Sequence, residues 1–211
     1  MALIRSAFQD ELDGVSQSLV DLTNMVSESI VKASKSLLSA DLNLAEDVIA
    51  TDAKIDDFQH DLDTRIIDII ARQQPVASDL RALVTALRMS ADLERMGDLA
   101  HHIAKVARLR YPESAIPAEL RGTLLEMGQI AELVVQKAGS ALVSRDRSLF
   151  DQIERDDDRM DALHRKLFTL ILDDSWEHGV EGAIDVTLIS RYYERFADHA
   201  VSVARRVAND F

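Results

Sequence analysis

The sequence predicts an all-α protein, built as two tandem three-helix bundles related by an internal pseudo-twofold repeat. Three observations point there. Apolar residues recur at spacings of three and four along most of the chain, the signature of amphipathic helices. The 211 residues include only 3 Pro and 7 Gly, too few turn-formers for a β-sandwich or barrel. Two sets of residues also recur, in the same order, about half a chain apart.

The elements follow from the punctuation. Helices are expected over roughly 5–38, 42–72, 77–109, 117–144, 147–174 and 181–208. The opening stretch from Met1 to Asp10 has no long apolar run, so it does not read as a signal peptide. Helix one ends at the break Ala40-Asp41. Helix two then lines up Leu44, Val48, Ile55, Leu62, Ile66 and Ile69. Pro75 interrupts the pattern and helix three follows. Pro112 and Pro117 bracket Glu113-Ser-Ala-Ile116, the linker between the two bundles, expected at 1–111 and 112–211. Helix four carries Leu124, Met127, Ile130 and Val134, and Arg145-Asp146 separates it from helix five. Trp176-Glu-His-Gly179 separates helices five and six, with Gly179 expected just past the end of helix five. Trp176 reads as a packing residue at that hairpin end. Met89, Met96, Met127 and Met160 read as core.

Composition excludes several classes of function. Cysteine is absent, which removes disulfides, Cys-zinc sites and thiol catalysis. The net charge is −13, which repels phosphate backbones and anionic lipid, so neither nucleic-acid binding nor direct membrane association is expected. No stretch approaches the roughly 18–20 apolar residues of a membrane span. The expectation is a soluble, cytoplasmic protein.

The repeat is specific. Ser39-Ala-Asp41, Leu44, Val48, Asp52, Ile55 and Asp56 recur 105 residues later as Ser144-Arg-Asp146, Leu149, Ile153, Asp157, Met160 and Asp161. Ser90, Glu94, Arg95, Asp98, Ala100 and Ala104 recur 100 residues later as Ser190, Glu194, Arg195, Asp198, Ala200 and Ala204. Two matched sets in order imply a duplicated three-helix unit.

Both copies preserve acids as well as core residues. Asp52 and Asp56, Glu94 and Asp98, Asp157 and Asp161, and Glu194 and Asp198 each form an acid-x-x-x-acid pair on one helix face. Asp56 and Glu94 both lie 19 residues from Pro75, and Asp52 and Asp98 both lie 23 from it. Antiparallel helices of equal rise bring such pairs to one level. Around residue 178, Asp161 and Asp157 lie 17 and 21 residues before, and Glu194 and Asp198 lie 16 and 20 after. Four carboxylates per half, so placed, repel one another unless a multivalent cation joins them. An all-oxygen donor set suits Mg²⁺, Mn²⁺, Ca²⁺ or oxidised iron, and zinc less well. Angular bookkeeping turns Glu94, Asp98, Glu194 and Asp198 away from the apolar stripe, which places the sites in shallow surface positions between helices. Arg95 and Arg195 are expected to pair with neighbouring acids. An alternative is a solvated acidic face.

Asp57-x-x-His60, Asp98-x-x-His101 and Asp161-x-x-His164 have a spacing akin to the Glu-x-x-His of di-metal bundles. The acids are one carbon shorter, however, and helix six lacks the pattern. These histidines therefore read as surface residues. No Gly-rich phosphate loop, nucleophile elbow or His-Glu-x-x-His is present, so neither a catalytic residue nor an organic cofactor site is expected.

Gln74-Pro-Val-Ala-Ser-Asp-Leu-Arg81, Asp92-Leu-Glu-Arg-Met-Gly-Asp98, Arg191-Tyr-Tyr-Glu-Arg-Phe-Ala-Asp-His-Ala200 and Phe8-Gln-Asp-Glu-Leu12 together make the chain resemble the PhoU family of phosphate-transport regulators. Leu99, where a His or Tyr often stands in that family, and Ala197, where Gly is usual, depart from its pattern. The resemblance implies metal ligation by Asp52, Asp56, Glu94 and Asp98 in one half and by Asp157, Asp161, Glu194 and Asp198 in the other. Iron, zinc, magnesium or manganese would be the metal. It further implies a homodimeric, non-enzymatic negative regulator of phosphate uptake and phosphate-starvation signalling. Such a regulator would bind the transporter's ATPase subunit and the phosphate-sensing histidine kinase, reaching the membrane only through them. The alternatives are a di-metal carboxylate enzyme and a metal-buffering protein.

Overall fold

Each break in the helical pattern has a local chemical cause. In the computed structural model, which describes residues 2–210 and side chains over 7–209, helix α1 (Ala2–Ser39) ends because Ala40 turns left-handed at φ 50°. Met1 and Phe211, the outer ends of the two expected bundle spans, lie outside the described residues, as do the side chains of residues 2–6. Asp41 then caps α2 (Leu42–Gln73), its carboxylate accepting from the Leu44 N–H at 3.1 Å. The same device recurs one repeat later. Arg145 turns left-handed at φ 54° to close α4 (Arg121–Ser144), and the Asp146 carboxylate accepts from the Ser148 N–H at 2.9 Å to open α5 (Ser148–Ile171). Left-handed Gln74 closes α2, and α3 (Ala77–Arg110) follows Pro75-Val76. A 3₁₀ turn over Ala118–Leu120 leads into α4, and α6 (Gly179–Asp210) completes the chain.

The fold is therefore the expected one, six long helices with no strand among the described residues. The hairpin between α5 and α6 differs from expectation. Helix α5 ends at Ile171, three residues early, because the Asp173 carboxylate binds both the N–H (2.9 Å) and the hydroxyl (2.6 Å) of Ser175. Gly179 does not close α5. It opens α6 in the left-handed region at φ 66°, and its carbonyl accepts from Trp176 Nε1 at 2.8 Å. Trp176 packs against the core edge, as read from the sequence, and the four core methionines are fully buried.

Helices α1, α2 and α3 pack together, as do α4, α5 and α6, and the two sets share one continuous core. They meet along two antiparallel helix pairs, α1 with α4 and α3 with α6. In the first pair the backbones approach closely: a Cβ on Gly128 would lie 2.9 Å from Ser34 Oγ, and one on Gly139 would lie 3.0 Å from Thr23 Cγ2. A shift of 105 residues maps Thr23 onto Gly128 and Ser34 onto Gly139. It therefore exchanges the two contacts, as a twofold axis does for an isologous interface. The buried Tyr193 hydroxyl of α6 donates to Ser34 Oγ at 2.8 Å at the same crossing.

The α3–α6 pair is held by charge. Arg110 donates from Nε (2.5 Å) and Nη2 (3.1 Å) to the buried Asp185 carboxylate and also binds Glu181. Asp92 meets His199 Nδ1 at 3.0 Å and accepts from Arg206 Nε at 3.1 Å. These contacts fix the two halves relative to each other, with α3 and α6 at the junction and, among the described residues, α2 and α5 each packed only within its own half. Among the described residues no helix is long and apolar enough to cross a membrane.

Candidate metal centres

In the first half the hairpin puts α2 antiparallel to α3, and the acids meet. Asp52 and Asp56 come from α2, and Glu94 and Asp98 from α3. Their carboxyls feel one another. Asp56 is held above the ordinary aspartate value by partial burial, then by repulsion from Asp52, Asp98 and Asp57. Glu94 is likewise raised, by burial first and then by Asp98, with Asp56 and Asp52 adding to it and Arg95 opposing. Arg95 donates to Asp98 at 2.9 Å and lies 3.5 Å from Glu94. The guanidinium thus offsets part of the repulsion, as its spacing predicts.

His101 is not the surface residue read from the sequence. One turn beyond Asp98, it is 14% exposed and its Nδ1 bonds Asp52 Oδ2, while Asp52 itself is 12% exposed. Asp52, Asp98 and His101 each offer a donor atom within 4.8 Å of the other two, a spread suited to ligands of one ion. The donor group in this half is therefore not oxygen alone. Asp52 Oδ1 and His101 Nε2 are sealed from solvent with no hydrogen-bond partner. Buried polar atoms left unmet cost about 1–3 kcal/mol each, so a missing partner fits here better than an empty pocket. The Asp98-x-x-His101 spacing was the visible signal. That His101 turns inward to Asp52 depends on how α2 sits on α3.

The second half repeats the acid pairs with different neighbours, and among its described residues no three donors come within 4.8 Å of one another. Asp157 and Asp161 come from α5, and Glu194 and Asp198 from α6. Burial pushes the Asp157 carboxyl up to about 7, helped by repulsion from Asp198, Asp161, Asp158 and Glu194. Burial raises Asp198 too, with Asp161 adding to it against Arg191, His199 and Arg195. Glu194 is raised by burial and then by Asp198, opposed by Arg191, with Asp161 contributing. Arg191, rather than Arg195, grips Glu194, at 2.5 and 2.6 Å; one turn before the glutamate on α6, it faces the same side. Asp161 receives Arg165 at 3.3 Å. Asp157 Oδ1 is buried without a partner. The other two histidines stand apart. His60 is exposed, whereas His164 is partly buried, its Nδ1 3.0 Å from Ser190 Oγ and its ring edge-on to Phe168.

Both halves thus gather four mutually repelling carboxylates and leave at least one buried oxygen unmet. Hard cations are held by such groups. Among the described residues, Asp52, Asp98 and His101 form the one group whose donor atoms converge closely enough to hold a metal ion. A cation held there would compensate the repulsion, accept the orphaned lone pairs of Asp52 and His101 and tie α2 to α3.

Comparison with known proteins agrees with this layout. The family model for the PhoU domain matches the chain twice, over residues 19–107 and 124–207. A Mycobacterium tuberculosis protein, phosphate-specific transport system accessory protein PhoU homolog 2, is 46% identical over 204 residues, covering 97% of this chain and 96% of its own length. The crystal structure of PhoU from Pseudomonas aeruginosa superposes with a TM-score of 0.86 at 28% identity, covering 95% of this chain and 96% of that one. The phosphate transport system regulatory protein PhoU from Streptococcus pneumoniae superposes with a TM-score of 0.82 at 28% identity, covering 95% and 94%.

Proposed function

The chain belongs to the PhoU domain family, and from that premise we propose that it is a cytoplasmic, non-enzymatic regulator of phosphate uptake. When phosphate is plentiful it damps transport and phosphate-starvation signalling, docking on the transporter's ATPase subunit and on the phosphate-sensing histidine kinase as a homodimer. Its link to phosphate transport is supported above all by near full-length identity to a relative named as an accessory protein of that system.

Each repeat, 1–111 and 112–211, holds one metal centre. Asp52, Asp56, Glu94 and Asp98 ligate in the first, and Asp157, Asp161, Glu194 and Asp198 in the second. The unmet buried oxygens of Asp52 and Asp157 support this assignment. The chain's own contribution is to hold the acids of two helices at one level, so that a bound cation braces the hairpin a partner would meet. The acidic surface of the chain, net charge −13, complements basic partners and speeds encounter with them.

The test is a strain in which the gene is deleted and then restored. Deletion raises phosphatase expression in phosphate-rich medium, the wild-type gene reverses it, and tagged protein retrieves the ATPase subunit or the kinase. Unchanged phosphatase expression overturns the regulatory reading. Replacing Glu94 and Asp98 together with alanine removes the metal of the first centre, measured by elemental analysis, and leaves the helical circular dichroism unchanged. Metal content equal to wild type overturns the ligand assignment.

A further inference from the structure

The two centres are built on one plan but offer different donors. A shift of 100 residues maps Glu94 onto Glu194, Asp98 onto Asp198 and His101 onto Val201. Val201 is a buried aliphatic side chain with no donor atom. Where the first centre presents an imidazole, the second presents hydrocarbon.

No other histidine joins an acid cluster in this way: among the described residues the one group of three acid or histidine donors within 4.8 Å of one another is Asp52, Asp98 and His101. His199 directly follows Asp198, but its Nδ1 is engaged by Asp92 across the α3–α6 contact at 3.0 Å. His164 directs Nδ1 to Ser190 Oγ. In the first half, by contrast, a His101 nitrogen lies within 4.8 Å of oxygens on both Asp52 and Asp98, and its Nε2 is buried and unpartnered.

Donor chemistry turns this into a selectivity. Imidazole nitrogen suits zinc, copper and ferrous iron, whereas carboxylate-only groups suit magnesium, calcium and manganese. We propose that the two repeats hold different cations: the first, completed by His101, prefers a borderline divalent ion of the zinc type, and the second prefers a hard ion of the manganese or magnesium type. This rests on the metal-binding reading above, and it makes His101 a ligand that the acid-x-x-x-acid pattern does not include.

Full-length variants isolate each centre. Asp157→Asn with Asp198→Asn leaves the first, and Glu94→Gln with Asp98→Asn leaves the second. Metal-free samples of each, checked for helical circular dichroism, are titrated calorimetrically with Zn²⁺ and separately with Mn²⁺. The zinc-over-manganese preference of the first centre is expected to exceed that of the second by about tenfold. His101→Gln in the first-centre background removes that excess and leaves Mn²⁺ binding little changed.

A second measurement starts from the wild-type protein. Wild-type protein loaded with one equivalent of Cu²⁺ is expected to show the remote nitrogen of a coordinated imidazole in pulsed EPR, and His101→Gln abolishes it. Equal preference at the two centres, or copper bound without a nitrogen signal, overturns the selectivity and leaves metal binding standing. Failure of both Zn²⁺ and Mn²⁺ to bind either centre overturns both readings.

Discussion

The first and second acid clusters share four acid positions and differ in nearly everything that touches them. In the first, Arg95 spans Glu94 and Asp98, and His101 closes against Asp52. In the second, Arg191 clamps Glu194, and Asp157 is buried deeply enough to push its carboxyl to about 7. Duplication kept what the helix geometry needs to bring acids together. It did not keep the side chains that set how each acid is charged and what it can bind.

The same divergence appears away from the acids. Lys32 and Lys137 are repeat counterparts, 105 residues apart. Lys32 reaches Glu28 (2.6 Å) and Asp47 (2.7 Å) on an open surface. Lys137 reaches Asp156, a buried carboxylate, at 2.6 Å, and the only other cation near that acid is Arg159 at 3.6 Å among the described residues. One lysine decorates the surface, whereas the other neutralises a charge inside the helix packing.

The largest expected effect breaks that pair of counterparts apart. Lys137→Met strands Asp156 without its close partner and is expected to cost about 3 kcal/mol in urea denaturation. Lys32→Met is expected to move the midpoint little, because exposed ion pairs contribute little. Equal losses in the two variants would show that the two halves treat the lysine alike.

A smaller effect sharpens the contrast between the centres through pH. The Asp157 carboxyl lies at about 7 in the folded chain against an ordinary 3.8. An acid whose folded value is the higher one holds its proton more tightly when folded. In metal-free protein its contribution therefore favours the fold in acid and is lost as pH rises from about 4 through about 7. Asn copies the protonated acid. Chelator-treated Asp157→Asn is expected to match wild type near pH 4 and to exceed it by about 1 kcal/mol near pH 8, after allowance for solvent screening. Thermal melts across that range measure the difference, and a gain that grows toward acid would reverse the sign.

The smallest effect concerns packing beneath the acids. A Cβ on Gly97 would lie 3.1 Å from both Cδ1 and Cγ2 of Ile55, a branched side chain with little room to yield. The second half carries Ala197 and Met160 at the counterpart positions. Gly97→Ala is expected to cost about 1 kcal/mol despite its better helix propensity. Adding Ile55→Met, which copies the second half, is expected to recover most of that, as a double-mutant cycle of melting curves would report. This accounts for the Ala197 departure from the family pattern: an unbranched methionine at the facing repeat position tolerates the extra methyl.

Much of this architecture was legible before any coordinates. The periodic apolar residues, Pro75, and the breaks at Asp41 and Asp146 placed the helices to within a few residues. The level-matching of Asp56 with Glu94 and of Asp161 with Glu194 anticipated which carboxyls repel each other in the structure. The end of α5 was less legible, because Asp173 and Ser175 stop the helix through a local side-chain turn that competes with an otherwise helical sequence. Arg191 was missed for Arg195 because charge pairing along a helix depends on rotamer and neighbour as well as on spacing. His101 was read as exposed because its spacing from Asp98 says nothing about the depth of α2 beside it.

By itself, then, the sequence determined the helices, their order, the duplication and the acid pairs. These are properties of periodicity and spacing, which act within a few turns of one chain segment. The tertiary structure alone decided what faces what: Ser34 against Gly128 and Thr23 against Gly139 across the halves, Asp92 against His199, and His101 against Asp52. Those contacts join residues 49 to 116 positions apart along the chain. They follow from how helices settle into one another's grooves, where a glycine allows a close approach and a buried carboxylate requires a partner.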